Sequence, residues 1–361
     1  MSSSSTSTSP QVISIDTLSE FCVGALRNSG VGEADSRITA EILTTTDAWG
    51  VFTHGTKALR GYLRRLKGGG LAPRGTPSVV TEGPGWALVD GDSSLGMVTS
   101  TYAMELALGK ARQTGVGYVG VRNSCHFGAA GAYAAQAARA GFIGLAMAND
   151  IPSVASPGSR GAVTGSNPLA YAVPAGRHRP LMLDMSIATV AGGKVYAARE
   201  RGEPIPATWL IDDQGQPTDD PNAYPEHSTL TPAAGHKGFG LALLIETLAG
   251  ALTGAAMTTR VGSWLGGDPS TATHHGAAFL ALDVAAMGPD LPARVEGLID
   301  EIHAAPRAVG VERLYVPGEK EWENLDRSMK HGIALPSDVV ASLREAAAIS
   351  DMELERYLAR P

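Results

Sequence analysis

Cysteine is nearly absent: Cys22 and Cys125 are the two in 361 residues. That excludes a disulfide framework and a CxxC metal pair, and leaves reduced thiols of the kind found in the cytoplasm. A basic surplus is missing too. Lys and Arg number 29 against 36 Asp and Glu, a net charge of −7. Nucleic-acid binders carry a basic face, and the one local cluster, Arg60, Arg64, Arg65 and Lys67, falls at helical spacing and reads as a solvated helix face. No nucleic-acid partner is expected. The opening MSSSSTSTSP lacks the apolar centre of a signal peptide and reads as a disordered lead. Residues 239–257 are long enough to cross a bilayer, but Glu246 and Gly240, Gly250 and Gly254 interrupt them, so they read as a buried helix and no membrane association is expected. There is no Walker A sequence, no HExxH, and no expected metal site. A literal GxGxxG at Gly115, Gly117 and Gly120 has a helix before it and a strand after it, the reverse of the dinucleotide fingerprint, and reads as a helix-to-strand turn.

What is present is the balance of a globular chain with a large core, 43% hydrophobic and 18% charged. The length suits two or three structural units. Helical periodicity runs over 15–29 and 33–49, and a third helix is expected from Thr53. There Leu59, Tyr62, Leu63 and Leu66 form one apolar stripe, stopped by Gly68-Gly69-Gly70. The middle alternates. Strands are expected at 86–89, 118–121, 143–148, 169–173, 181–183 and 277–282, and helices at 99–113, 129–140 and 239–253. Helices return at 291–303 and 337–347. Interleaved strands and helices define an α/β class. The expected organisation is a disordered lead over 1–12, a helical unit from 13–75 plus about 322–361, and an α/β nucleotide-binding and substrate region over 76–321.

Six polar motifs sit at element ends. Thr53-His54-Gly55 offers a helix cap followed by a histidine, which is either an ordinary surface residue or an acid/base poised near neutral pH. Lys57, one turn on, can hold a carboxylate. Asn123 to Gly128, with His126 and Phe127, follows a strand and precedes a helix, where α/β sheets bind ligands; a capping turn reads the same way. Gly165-Ser166-Asn167-Pro168 is a turn before a strand. Asp184-Met185-Ser186 ends a strand, with Gly192-Gly193-Lys194 soon after. Gly235-His236-Lys237-Gly238 opens the long helix, and its backbone N–H groups and lysine suit a phosphate as well as a plain glycine loop. Pro317-Gly318-Glu319 precedes Arg327.

The stretches DAWGVFTHG, VRNSCHFGAAGAY, TGSNPLAYAVP, LMLDMSIATVAGGKV, PTDDP, GHKGFGLALLIETLAGALTGA and VPGE, in this order, resemble the type-2 malate/L-lactate dehydrogenase family. That family includes ureidoglycolate and L-sulfolactate dehydrogenases, diketogulonate reductase and piperideine-2-carboxylate reductase. The resemblance spans about residues 15–350. It implies a non-Rossmann fold, with a mixed sheet and a helical part built from both chain ends, and a homodimer. It implies NAD or NADP as cofactor, and His54 as proton donor, assisted by Thr53. His126 matches a second active-site histidine. His126, Phe127, Gly128, Asp184, Met185, Ser186, His236, Lys237, Gly318, Glu319 and Arg327 are the expected cofactor contacts. Lys57, Arg60, Tyr62, Ser166 and Lys194 are the expected substrate contacts.

Three departures stand out. Thr53 replaces the usual serine and keeps a hydroxyl. Cys125 replaces the usual asparagine. Ala58 stands where most members carry a carboxylate-clamping arginine, leaving Lys57 and Arg60 as nearby cations. The expected reaction is hydride transfer between nicotinamide and a small 2-oxo or 2-hydroxy acid. Two alternatives remain: a cyclic ketimine reductase, whose members carry Asp where this chain has Lys194, and a cofactor-free lyase or hydrolase built on His54 and His126.

Overall fold

The computed structural model describes residues 11–359. Most of the expected disordered lead, residues 1–10, lies outside them, and Gln11 and Val12 already belong to a strand. The two chain ends meet through the main chain: β1 (Gln11–Ile13) pairs antiparallel with β14 (Ile333–Leu335), Val12 opposite Ala334. Around this ribbon pack α1 (Ile15–Asn28), α2 (Glu33–Ala48) and α3 (Leu59–Gly68) with α11 (Ser337–Ile349) and α12 (Glu355–Leu358). One buried apolar cluster joins Leu18, Phe21, Leu43, Leu59 and Leu63 to Val339, Leu343 and Ala346. Neither end could bury its apolar stripe alone, which is why the helical part draws on both.

Local signals explain most boundaries. The Ser14 hydroxyl accepts from the Thr17 N–H and starts α1. Gly69, at φ 93°, ends α3 in the left-handed conformation that glycine tolerates. Two expectations about this region need correction. Helix α3 starts at Leu59, not near Thr53; residues 52–55 form a turn and Thr56–Ala58 a 3-10 turn. Thr53 therefore caps no helix, and the Asp47 side chain holds the turn instead, as shown below. Arg65 is not part of a solvated face. It is buried, because its guanidinium donates to backbone carbonyls of the 263–271 loop.

The centre is a seven-stranded mixed sheet. Its order is β2 (Ser78–Gly83), β3 (Trp86–Asp90), β4 (Val116–Ser124), β13 (His275–Asp283), β5 (Phe142–Ala148), β8 (Leu169–Val173) and β9 (Leu181–Met185). β3 and β4 run parallel and are joined by the crossover helix α4 (Gly96–Thr114). α5 (Ala130–Arg139) packs against β5 through buried alanines. The GxGxxG glycines serve this packing. Gly115 ends α4 at φ 84°, and a Cβ on Gly117 would lie 2.0 Å from the Ala107 carbonyl oxygen.

A smaller sheet runs β11 (Pro217–Thr218), β10 (Leu210–Asp212), β12 (Ser228–Leu230), β6 (Val154–Ala155), β7 (Ala162–Thr164). α6 (Gly192–Arg201) shares a small apolar core with it. α7 (His236–Ile245) continues into a π turn, Glu246–Ala251. The expectation of one buried helix over 239–257 is corrected here: Leu241, Leu243, Leu244 and Leu252 are exposed. α8 (Val284–Met287), α9 (Leu291–Ala304) and α10 (Glu319–His331) complete the chain. Among the described residues no helix is long and apolar enough to cross a membrane.

Candidate active site

The site begins with a buried carboxylate. Asp47, near the end of α2, accepts at Oδ2 from the Thr56 N–H (3.1 Å) and the Thr56 hydroxyl (2.5 Å). Gly55 lies so close that a Cβ there would sit 1.9 Å from Asp47 Oδ1. Burial pushes the Asp47 carboxyl up to about 7, although both Thr56 bonds favour its ionised form. These contacts fix the turn carrying Thr53 and His54. The Thr53 hydroxyl lies 2.9 Å from His54 Nδ1.

The second histidine comes from the loop between β4 and α5. His126 is buried, with its ring centroid 5.4 Å from that of His54. Tyr62, from α3, places its hydroxyl 2.6 Å from His126 Nδ1. Trp264 stacks on the imidazole at 3.9 Å and 15°. Asp150, just beyond β5, completes the group. Its Oδ1 is 3.2 Å from His275 Nε2, and its N–H donates to Asn167 Oδ1. Asn167 in turn donates to Glu246 Oε1 in the π turn (3.0 Å).

Electrostatics separates these groups. Burial holds His54 below the usual histidine range, with the Asp150 charge pulling the other way. Burial holds His126 well below it, reinforced by His54 and His275 and opposed by Asp150. Burial alone would raise Asp150, but favourable interactions, the His275 hydrogen bond foremost, bring it below the usual carboxylate range. At neutral pH the site therefore holds two neutral imidazoles beside an ionised carboxylate.

The expected site residues fall into groups. Thr53, His54, Tyr62 and His126 converge, and Tyr62 is fully buried with its hydroxyl engaged on His126. Ser166 precedes Asn167, and its carbonyl accepts from the Ile187 N–H (2.8 Å). Lys194 is exposed in the first turn of α6, and a Cβ on neighbouring Gly193 would lie 3.1 Å from Thr53 Cγ2, so this helix end borders the His54 turn. Lys57 and Arg60 do not join the cluster. They pair with Asp338 (2.5 Å) and Glu345 (2.7 Å) of α11. Such partly exposed pairs are weak, but they aim both cations away from the histidines.

The expected cofactor contacts lie on neighbouring element ends. Asp184 Oδ2 accepts from the Gly131 N–H at the start of α5 (2.7 Å), next to His126 and Gly128; Met185 ends β9 and Ser186 follows. The Phe127 ring is buried between Tyr133 and Phe279, and its carbonyl accepts from the Tyr133 hydroxyl. Gly318, at φ 93°, backs onto Met182 of β9, where a Cβ would lie 2.9 Å from the Met182 carbonyl oxygen. Glu319 pairs with His303 (2.9 Å) and Arg313 (3.1 Å), and Arg327 is exposed on α10. His236 and Lys237 are exposed in the first turn of α7. Among the described residues no group of three or more His, Cys, Asp or Glu side chains could hold a metal ion.

Sequence reasoning passed over Asp47, Asp150, His275 and Trp264. Asp150 carried a usable signal, a carboxylate just past the C-terminal end of a strand. His275 opens its strand and Asp47 sits at helical spacing, with nothing local to mark either. Trp264 reaches His126 from more than a hundred residues away.

Two histidines and a carboxylate can move a proton at a substrate oxygen or nitrogen, but they hold no hydride. The class they define is an acid–base centre. Residues 13–344 match the family model described as malate/L-lactate dehydrogenase. The chain is 35% identical to a malate dehydrogenase of Pyrococcus abyssi, over 92% of this chain and 93% of that one. It is 30% identical to a Delta(1)-pyrroline-2-carboxylate/Delta(1)-piperideine-2-carboxylate reductase of Pseudomonas putida, over 96% and 99%. The solved sulfolactate dehydrogenase from Methanocaldococcus jannaschii superposes with a TM-score of 0.89 at 33% identity, covering 96% of this chain and 99% of that one. The chain belongs to the malate/L-lactate dehydrogenase family and is an oxidoreductase. Nothing in these comparisons supports the lyase or hydrolase alternative.

Proposed function

We propose that the protein transfers hydride between NAD(H) or NADP(H) and a small 2-oxo or 2-hydroxy acid, with His54 exchanging the proton. The observation that carries this reading is the Thr53–His54–His126 cluster beside the ionised Asp150. The donor set suits a dinucleotide. The exposed Lys237, in the first turn of α7, offers a positive charge for a pyrophosphate, and Gly318 lets the 317–319 turn sit close against β9. Asp184, Met185 and Ser186 would hold the remainder from the end of β9. When bound, the nicotinamide supplies or accepts the hydride.

The protein's own groups handle the proton and the charge. The Thr53 hydroxyl on Nδ1 fixes the His54 ring, leaving Nε2 for the substrate oxygen. In oxidation the neutral imidazole takes the substrate's hydroxyl proton and becomes imidazolium; in reduction His54 enters as that imidazolium, protonated from solvent, and gives its proton to the substrate oxygen. Asp150 stabilises the imidazolium state on the way. Ser166 and Lys194 are the groups proposed to hold the carboxylate, since Lys57 and Arg60 face α11. The working form we propose is a cytoplasmic homodimer, supported by two buried, unpaired thiols and the exposed leucines of α7.

A second reading, reduction of a cyclic ketimine, is favoured by the Pseudomonas putida relative. An ionised Asp150 would also suit an iminium. Lys194 weighs against it by placing a positive charge where the imine-reducing members carry Asp.

One assay separates these readings. The protein is mixed with NADH or NADPH and panels of 2-oxo acids and cyclic imines, and nicotinamide absorbance is followed. Oxidation by 2-oxo acids is expected. Turnover of imines alone would establish the second reading, and binding of neither nucleotide would sink both. In the same assay His54→Ala should lose roughly 10²–10⁴-fold in kcat with nucleotide binding intact. A mild effect there, with a severe one for His126→Ala, would exchange the two roles.

A further inference from the structure

The loop between α7 and β13 plays no part in the reading above, yet it is pinned more firmly than a surface loop requires. Arg65 of α3 donates from Nε to the Trp264 carbonyl (2.9 Å), from Nη1 to that of Thr271 (2.7 Å), and from Nη2 to those of Gly266 (3.0 Å) and Ser263. One buried guanidinium thus satisfies four carbonyls of a single loop. What it holds in place is Trp264. The indole stacks on His126 and lies 5.6 Å from the Tyr62 ring, near parallel to it.

The other side of His126 limits where its proton sits. The Gly128 N–H donates to Nδ1 (3.4 Å), and a backbone N–H can only donate. The Tyr62 hydroxyl shares the same nitrogen. A neutral imidazole has one donor and one acceptor nitrogen, so Nδ1 is the acceptor and Nε2 bears the proton.

We infer that Trp264, anchored by Arg65, is a positioning residue that holds His126 as a neutral Nε2–H donor. His126 then offers the substrate a hydrogen bond without changing charge, and proton exchange falls to His54. The catalytic meaning rests on the dehydrogenase reading; the protonation state does not. The titratable groups facing His126 are Tyr62 from α3, His54 from its turn, Asp150 beyond β5 and His275 on β13. Asp150 favours the charged ring, and burial under the indole opposes it. Without the indole, water enters and Asp150 gains weight.

The test is nitrogen-detected NMR of histidine-labelled protein across pH 5 to 8, with His126 assigned by its loss in His126→Asn. The wild-type ring is expected to stay neutral and protonated at Nε2 throughout. In Trp264→Ala a titration midpoint should rise into this pH range, and Trp264→Phe should restore most of the wild-type behaviour. The acid limb of kcat should move in Trp264→Ala while nucleotide binding does not. A wild-type His126 that titrates near neutrality, or carries its proton on Nδ1, overturns the proposal. So does a Trp264→Ala ring that also stays neutral throughout. The NMR measurement needs no turnover, so its failure is distinct from failure of the dehydrogenase reading.

Discussion

Asp47 and the two active-site histidines pull stability in opposite directions with pH. The Asp47 carboxyl sits at about 7 in the folded chain, against about 3.9 when unfolded. Its protonated form stabilises the fold below about pH 4, and that contribution is lost as pH rises through 7. His54 and His126 are both depressed. Their contribution is present above about 6.5, the unfolded value, and is lost on acidification. Asp47→Asn isolates the first effect, because an amide oxygen can still accept from Thr56. Thermal unfolding from pH 4 to 8 should show the variant gaining on the wild type as pH rises. Parallel curves would mean that Asp47 is not the buried acid described here. Gly55 belongs to the same device, since no other residue leaves room for the carboxylate. The motif that holds His54 was legible as DAWGVFTHG, but its mechanism was not. A helix cap was the local reading, and a side chain seven residues upstream of the histidine does the work.

At the scale of elements, long amphipathic helices and central strands were readable, because period and composition are local properties. β8 and α3 show this, one matching its expected range and the other its expected stripe. The five-stranded sheet was not readable, since its strands are two or three residues long and gain their order from pairing rather than from pattern. α6 was hidden by its glycine opening, and α10 by polar residues around a single buried Trp322. The GxGxxG segment allows a direct test of element against motif. Gly117→Ala forces a methyl toward the Ala107 carbonyl oxygen. It should cost about 1–3 kcal/mol of stability by overpacking, measured by urea unfolding, with nucleotide affinity unchanged. A selective loss of nucleotide binding at native stability would restore the fingerprint reading.

At the scale of the whole molecule, the exposed leucines of α7 and of the turn that follows it call for a cover. Leu244 and Leu252 are 50% and 54% exposed, on a segment whose hydropathy suggested burial. The proposed homodimer would supply that cover. Sedimentation should give twice the chain mass for the wild type, and Leu244→Glu with Leu252→Glu should shift it toward the single chain. A wild-type monomer at micromolar concentration would remove the homodimer from the proposal. The sequence by itself determined the α/β class and the helical character of both ends, because these follow from local periodicity, and the order of its histidine-bearing and polar turns carried the resemblance to a dehydrogenase family. Tertiary structure alone decided which groups meet. It sent Lys57 and Arg60 to α11, buried Arg65 beneath a distant loop, and brought Asp150, His275 and Trp264 around His126. Those contacts join segments far apart in the chain, and their energies come from burial and charge, which exist only once the chain is folded.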